Sequence, residues 1–224
     1  MIAILQSYSS MLLGALGKTL LLTLLSLLFA MIIGMIFALM NVGRNRVLNC
    51  IGTIYVDAVR GVPLIVLAYF IYFGVPSGMK MMGATDFRLS ALQAGTIALA
   101  MNCGAYMAEI IRAGIQSVDK GQMEASRSLG LSYAKSMRLV ILPQAIRTMV
   151  PSIINQFIIT VKDTSILSVI GFPELVLAAK NVQAGTFKSF ETWTIVGIMY
   201  LIVITILSYL AKMVERRVNR GVKR

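Results

Sequence analysis

Apolar residues in this chain neither alternate nor gather on one helical face. They run together in five long blocks, roughly 12–40, 51–75, 89–113, 139–171 and 192–213, parted by polar segments. The hydrocarbon core of a bilayer takes about 20 apolar residues in a helix, so each block predicts one membrane-crossing helix. The first block is interrupted only by Lys18 and small polar residues. It is too long for a signal-peptide core and lacks a small-residue cleavage site. Within the second, Gly61 and Pro63 weaken the helix, and the cluster Lys162 to Ser165 predicts a break in the fourth. Irregular backbone at that depth persists only beside protein or a wet cavity, which is where transporters hold solute.

Composition fits this pattern. Hydrophobic residues make up 58% of the 224, charged residues 13%, and the mean hydropathy is +0.81. One all-α integral membrane domain over 1–224 is expected, with no stretch left for a soluble catalytic domain. The halves show no repeat and five is an odd number, which argues against an inverted duplication within one chain. A pathway on a symmetry axis then needs two subunits.

The net charge of +12 would suit nucleic acid, but its placement argues for membrane topology. The basic residues Arg44 and Arg46, then Lys120, Arg127, Lys135 and Arg138, then Lys212, Arg216, Arg217, Arg220, Lys223 and Arg224 fall in three segments flanking apolar blocks. Basic excess marks cytoplasmic loops. The N-terminus is therefore expected outside and the C-terminus inside, and the basic tail is expected to meet anionic lipid headgroups. Neither cysteine, Cys50 or Cys103, supports a disulfide framework, and both read as small packing residues. Without histidine the usual ligands of zinc or haem are missing, so no metal site is expected.

Several charges fall within or at the ends of apolar blocks: Arg60, Glu109, Arg112, Arg147, Lys162 and Asp163. Unpaired, each costs several kcal/mol there. Arg112 and Arg147 lie near the inner boundary and can snorkel. For the other four, two readings stay open. They pair with one another and fix helix packing, or they line a path for a zwitterion, with Glu109 or Asp163 accepting an ammonium and Arg60 binding a carboxylate. Asn102, in mid-span, and Ser165 join that candidate path.

The loop 116–138 separates the third and fourth blocks. Asp119 or a nearby residue can cap a short helix beginning near Gly121, with Glu124 in its first turns and Gly130 ending or bending it. Ala125, Ser126 and Gly130 carry little side chain, so a partner surface could approach closely, with Leu129, Leu131, Tyr133 and Met137 as apolar anchors. An amphipathic helix lying in the headgroup layer would look similar.

The order Glu124-Ala125-Ser126, Gly130, then Val140-Ile141-Leu142-Pro143 resembles the coupling signature of permease subunits in type I ATP-binding cassette importers. Ser126 stands where that family has alanine and Val140 where it has isoleucine, both similar in size. The segments Arg60 to Leu64, Ala105 to Gly114 and Lys162 to Gly171 resemble the branch that imports polar amino acids such as histidine, glutamine and arginine. The resemblance implies a permease in a prokaryotic cell membrane, coupled through Glu124, Ala125, Ser126, Gly130 and Leu131 to cytosolic ATP-binding cassette subunits. It also implies a second permease subunit, identical or paralogous, and an extracytoplasmic solute-binding protein. ATP and Mg would sit on the ATPase, with no cofactor on this chain, which has no Gly-x4-Gly-Lys-Ser/Thr phosphate loop. Val62 and Leu67 replace a threonine and a glutamine that the family often has. An ion-coupled amino-acid carrier using Glu109 and Asp163, and a non-transporting membrane scaffold, are the alternatives from other classes.

Overall fold

The computed structural model describes residues 1–43, 45–84 and 86–219. Of the basic residues above, Arg44, Arg220, Lys223 and Arg224 lie outside these. Every regular element among the described residues is helical. They are α1 (Ile2–Val42), α2 (Arg46–Gly61), α3 (Leu64–Met81), α4 (Ala91–Gln116), α5 (Lys120–Ser128), α6 (Tyr133–Ile170), α7 (Leu175–Thr186) and α8 (Ser189–Asn219). By length and apolarity α1, α3, α4, α6 and α8 are the candidates to cross a membrane.

The second block does not form one helix over 51–75. It is divided at Val62 and Pro63, with α2 ending at Gly61 and α3 starting at Leu64. Proline has no N–H to continue the ladder and pushes the residue before it out of the α region; Val62 is extended, with φ −96° and ψ 129°. The membrane-length helix is therefore α3, shifted toward the C-terminus, and α2 carries Asp57 and Arg60 as a separate segment. In α6 the helix widens to a π turn over Met137–Ile141 and tightens to a 3₁₀ turn over Thr164–Ile170. The second change begins within the Lys162 to Ser165 cluster. The twelve-residue helix α7 corresponds to no apolar block.

α1 packs along α4 through small residues. Ser26, Ala30, Gly34 and Ala38 are all buried on one face of α1. A Cβ at Gly34 would lie 2.5 Å from the Cβ of Met107, and one at Gly104 would lie 2.8 Å from Ile33. In lipid no hydrophobic effect drives helices together, so such close van der Waals approach supplies the attraction. The central core joins Leu22 of α1, Leu67 of α3, Ala98 and Leu99 of α4, and Leu167 at the end of α6. Ala38, Val56, Ile111 and Met149 join α1, α2, α4 and α6 nearer the loop between α4 and α6.

A third cluster ties α7 to α1 and α8 through Leu12, Leu175, Val182 and Ile195. Glu174 caps α7 and is fully buried. Its carboxylate accepts the amides of Val176 (2.8 Å) and Leu177 (2.7 Å) and the hydroxyl of Tyr200 (3.3 Å). Burial pushes the Glu174 carboxyl above its ordinary range, against the pull of those donors. Cys103 is buried as expected, whereas Cys50 is exposed on α2.

Candidate functional site

Two helix discontinuities meet across one cavity. Its volume is about 480 Å³, and the α2–α3 break, the middle of α4 and the end of α6 supply its walls. Arg60 is the last cation of α2 and stands 5.1 Å from the ring centroid of Tyr106 on α4, within cation–π range. Asn102 lies one turn from Tyr106 on the same face, and Gln156 and Asp163 come from α6. The site thus holds one guanidinium, one carboxylate and two neutral amides.

Of the expected path residues, Arg60, Asn102 and Asp163 come together here. Glu109 does not; it lines a second cavity of about 360 Å³ with Asn41, Asp57 and Arg112, and only Arg60 borders both. Arg112 clamps the Glu109 carboxylate with two donors, its Nε at 2.9 Å from Oε2, and reaches Gln116 at 2.9 Å. Glu109 is thus paired within α4 itself. Lys162 is exposed away from the cavity, and the Ser165 hydroxyl donates to the Lys162 carbonyl at 2.6 Å instead of facing the site. Tyr106 and Gln156 were missed, although their spacing carried the signal: four residues after Asn102 and seven before Asp163 place each on the same helical face. Val62 lines the cavity, whereas Leu67 packs in the central core.

The loop between α4 and α6 forms the helix α5. Asp119 accepts the Gly121 amide at 2.7 Å and starts it. Gly130 ends it in the left-handed region with φ 83°, and the amides of Gly130 and Leu131 return to the carbonyls of Arg127 (3.0 Å) and Ser126 (3.2 Å). That bonding pattern satisfies carbonyls that a helix end would otherwise orphan. Glu124, Ala125 and Gly130 are exposed, and Leu131 is half-buried. Ser126 differs from expectation: it is buried and faces its own chain. Its hydroxyl donates to the Met123 carbonyl at 2.9 Å within α5, and the Gln122–Gln144 hydrogen bond (3.4 Å) links α5 to α6. Leu129 is 84% exposed at the tip.

The sequence profile of the family described as "Binding-protein-dependent transport system inner membrane component" matches residues 30–220. The chain belongs to that family. Along its whole length it is similar to the probable glutamine ABC transporter permease protein GlnM of Bacillus subtilis (strain 168), with 37% identity over 220 residues covering 98% of this chain and 99% of the relative. It is 36% identical over 201 residues to the glutamine transport system permease protein GlnP of Escherichia coli (strain K12), covering 90% of each. A solved amino acid ABC transporter described as "with histidines" superposes with a TM-score of 0.88 at 38% identity, covering 96% of this chain and 97% of that one. The inward-facing MetNI methionine transporter, at 21% identity and a TM-score of 0.76, shares the fold.

The inner-membrane family accounts for the five apolar helices. This chain is a multi-pass inner-membrane permease subunit of an ATP-binding cassette importer, and nucleotide hydrolysis in such systems belongs to a separate subunit. The ion-coupled carrier and the scaffold give way to that membership.

Proposed function

We propose that this permease carries a polar amino acid through the cavity between Arg60 and Asp163. The observation that carries the reading is a pair of opposite charges on one cavity of about 480 Å³, with Asn102 and Gln156 between them. A zwitterion needs an acceptor for its ammonium and a donor for its carboxylate where water is scarce. Asp163 and Arg60 fill those roles, and Glu109 does not, because Arg112 occupies its oxygens. Relatives named for glutamine and arginine support the substrate class.

The working unit is two permease subunits, identical or paralogous, with two cytosolic ATPases and an extracytoplasmic solute-binding protein. The basic end, with α5 and the end of α8, faces the cytosol, and the start of α1 faces outward. Each α5 sits in an ATPase groove, with Glu124, Ala125 and Gly130 toward the partner. ATP-driven approach of the ATPases draws the helices together and turns the cavity outward; hydrolysis returns it inward. The solute is selected by its differential fit to the two states.

The test is uptake of radiolabelled glutamine and arginine by vesicles holding the permease, its ATPase and its binding protein. Uptake that requires internal ATP and all three components is expected. Uptake driven by an ion gradient without ATP, or ATP-driven uptake of neither amino acid, would overturn the proposal.

A further inference from the structure

An open groove of about 470 Å³ lies between α1, α6 and α8, away from the cavity described above. Leu24 and Leu27, Phe157 and Ile158, Leu210 and Val214 form its three walls. Its one hydroxyl, Thr23, donates back to the Thr19 carbonyl at 2.8 Å, so the groove offers nothing to a polar ligand. Its size falls within the ~300–1,000 Å³ typical of small-molecule sites.

The mouth of this groove is charged. Leu207, Leu210, Ala211 and Val214 form one stripe along α8, and Arg217 is the next residue on that stripe, one turn further. On α6 the stripe Ile154, Phe157 or Ile158, Val161 runs back two turns to Arg147. α6 and α8 are successive spans and run in opposite directions, so Arg147 and Arg217 come to the same mouth. Both are exposed, and no ion pair among the described residues engages either. Lys212 and Arg216 are exposed on the neighbouring faces of α8.

We infer that this groove is a binding site for an anionic phospholipid, with an acyl chain between α1, α6 and α8 and the phosphate held between Arg147 and Arg217. A dry apolar slot beside the bilayer suits a hydrocarbon chain, and two guanidinium groups at its end suit a phosphodiester bidentately. A second copy of this chain is the poorer occupant. It would bring another positive surface from a protein of net charge +12 to a mouth that already holds two arginines.

The assembled transporter is purified into nanodiscs containing equal phosphatidylglycerol and phosphatidylcholine of identical acyl chains, and lipid retained on the complex is read by native mass spectrometry. Phosphatidylglycerol is expected to be retained over phosphatidylcholine. In the double variant Arg147→Gln and Arg217→Gln its retention falls roughly thirtyfold, or ~2 kcal/mol at ~1 kcal/mol per arginine beside an anionic headgroup. Leu210→Trp, which fills the groove and leaves the arginines, is expected to abolish retention. Equal retention of the two lipids, or phosphatidylglycerol retention that survives both variants, overturns the site. So does a disulfide between two copies through Leu210→Cys in a Cys50→Ser background, because it places a second copy on the groove.

Discussion

Replacing Gly130 separates two reasons for a glycine at the end of α5. One is close approach by a partner, which penalises any side chain in proportion to its size. The other is backbone: Gly130 has φ 83°, where an ordinary L-residue costs ~1–2 kcal/mol and asparagine costs less. The structure supplies the second directly, since the turn that Gly130 makes directs two amides onto the carbonyls of Arg127 and Ser126. Gly130→Ala is therefore expected to weaken the closed end of α5 by ~1–2 kcal/mol, a factor of about 5–30. Gly130→Asn, although larger, is expected to lose much less, and Gly130→Val more than either, because β-branching makes this region an outlier. The assay is titration of the ATPase onto the permease in nanodiscs, paired with ATP-driven uptake. The order Gly, Asn, Ala, Val supports the backbone reason. If asparagine is as damaging as valine and alanine is mild, the steric reason wins and the reasoning here is wrong.

Asp163→Asn is expected to raise the KM of uptake roughly ten- to a hundredfold, since a hydrogen bond to a charged group is worth ~1.5–3 kcal/mol, with ATPase assembly unchanged. Glu109→Gln should change KM by less than about threefold. Its pair with Arg112 is about one-third exposed and worth at most ~1 kcal/mol; equal effects at both positions would refute the division of roles. Gly34→Leu drives a side chain into Met107 across the α1–α4 contact and should destabilise the protein by ~1–3 kcal/mol, seen as a lower unfolding temperature in detergent. Gly14→Leu, which meets nothing within 4 Å, serves as the comparison, and matching shifts would contradict the close-packing account. The buried Glu174 carboxyl holds its proton more tightly in the native state than in the unfolded chain, whose ordinary value is 4.5. Its contribution to stability is thus complete below pH 4.5 and is lost as pH rises through the raised native value. Glu174→Gln should flatten that decline in thermal unfolding measured across mildly acidic to neutral pH, and an unchanged slope would rule the group out as its source.

Much of the architecture could be read along the chain. Pro63 and the Lys162 to Ser165 cluster marked both discontinuities that border the cavity, because helix breaks are local backbone chemistry. Asp119 and Gly130 marked both ends of α5 for the same reason. The second block differs in extent: the break at Pro63 separates α2 from α3, and the membrane-length helix runs from Leu64 and not from residue 51. Ser126 looked like part of an open docking face, yet it is buried; that depends on how α5 folds back on its own chain, and no local pattern encodes that angle. Along the chain Glu109 and Asp163 are alike, carboxylates within apolar blocks; Arg112 pairs with Glu109 and leaves Asp163 on the cavity.

Span number, the basic loops and the family signature followed from the sequence alone. The cost of placing a residue in lipid is set mainly by that residue and its near neighbours, so a linear scan captures it. Which charges share a cavity did not follow. Arg60, Asn102 and Asp163 lie on three different helices, and only the close packing of α4 on α6, where Gly114 lies against Met149, with the turn at Pro63, decides which faces meet. A site made of faces is a property of helix rotation and approach, and those are set by contacts far apart in the chain.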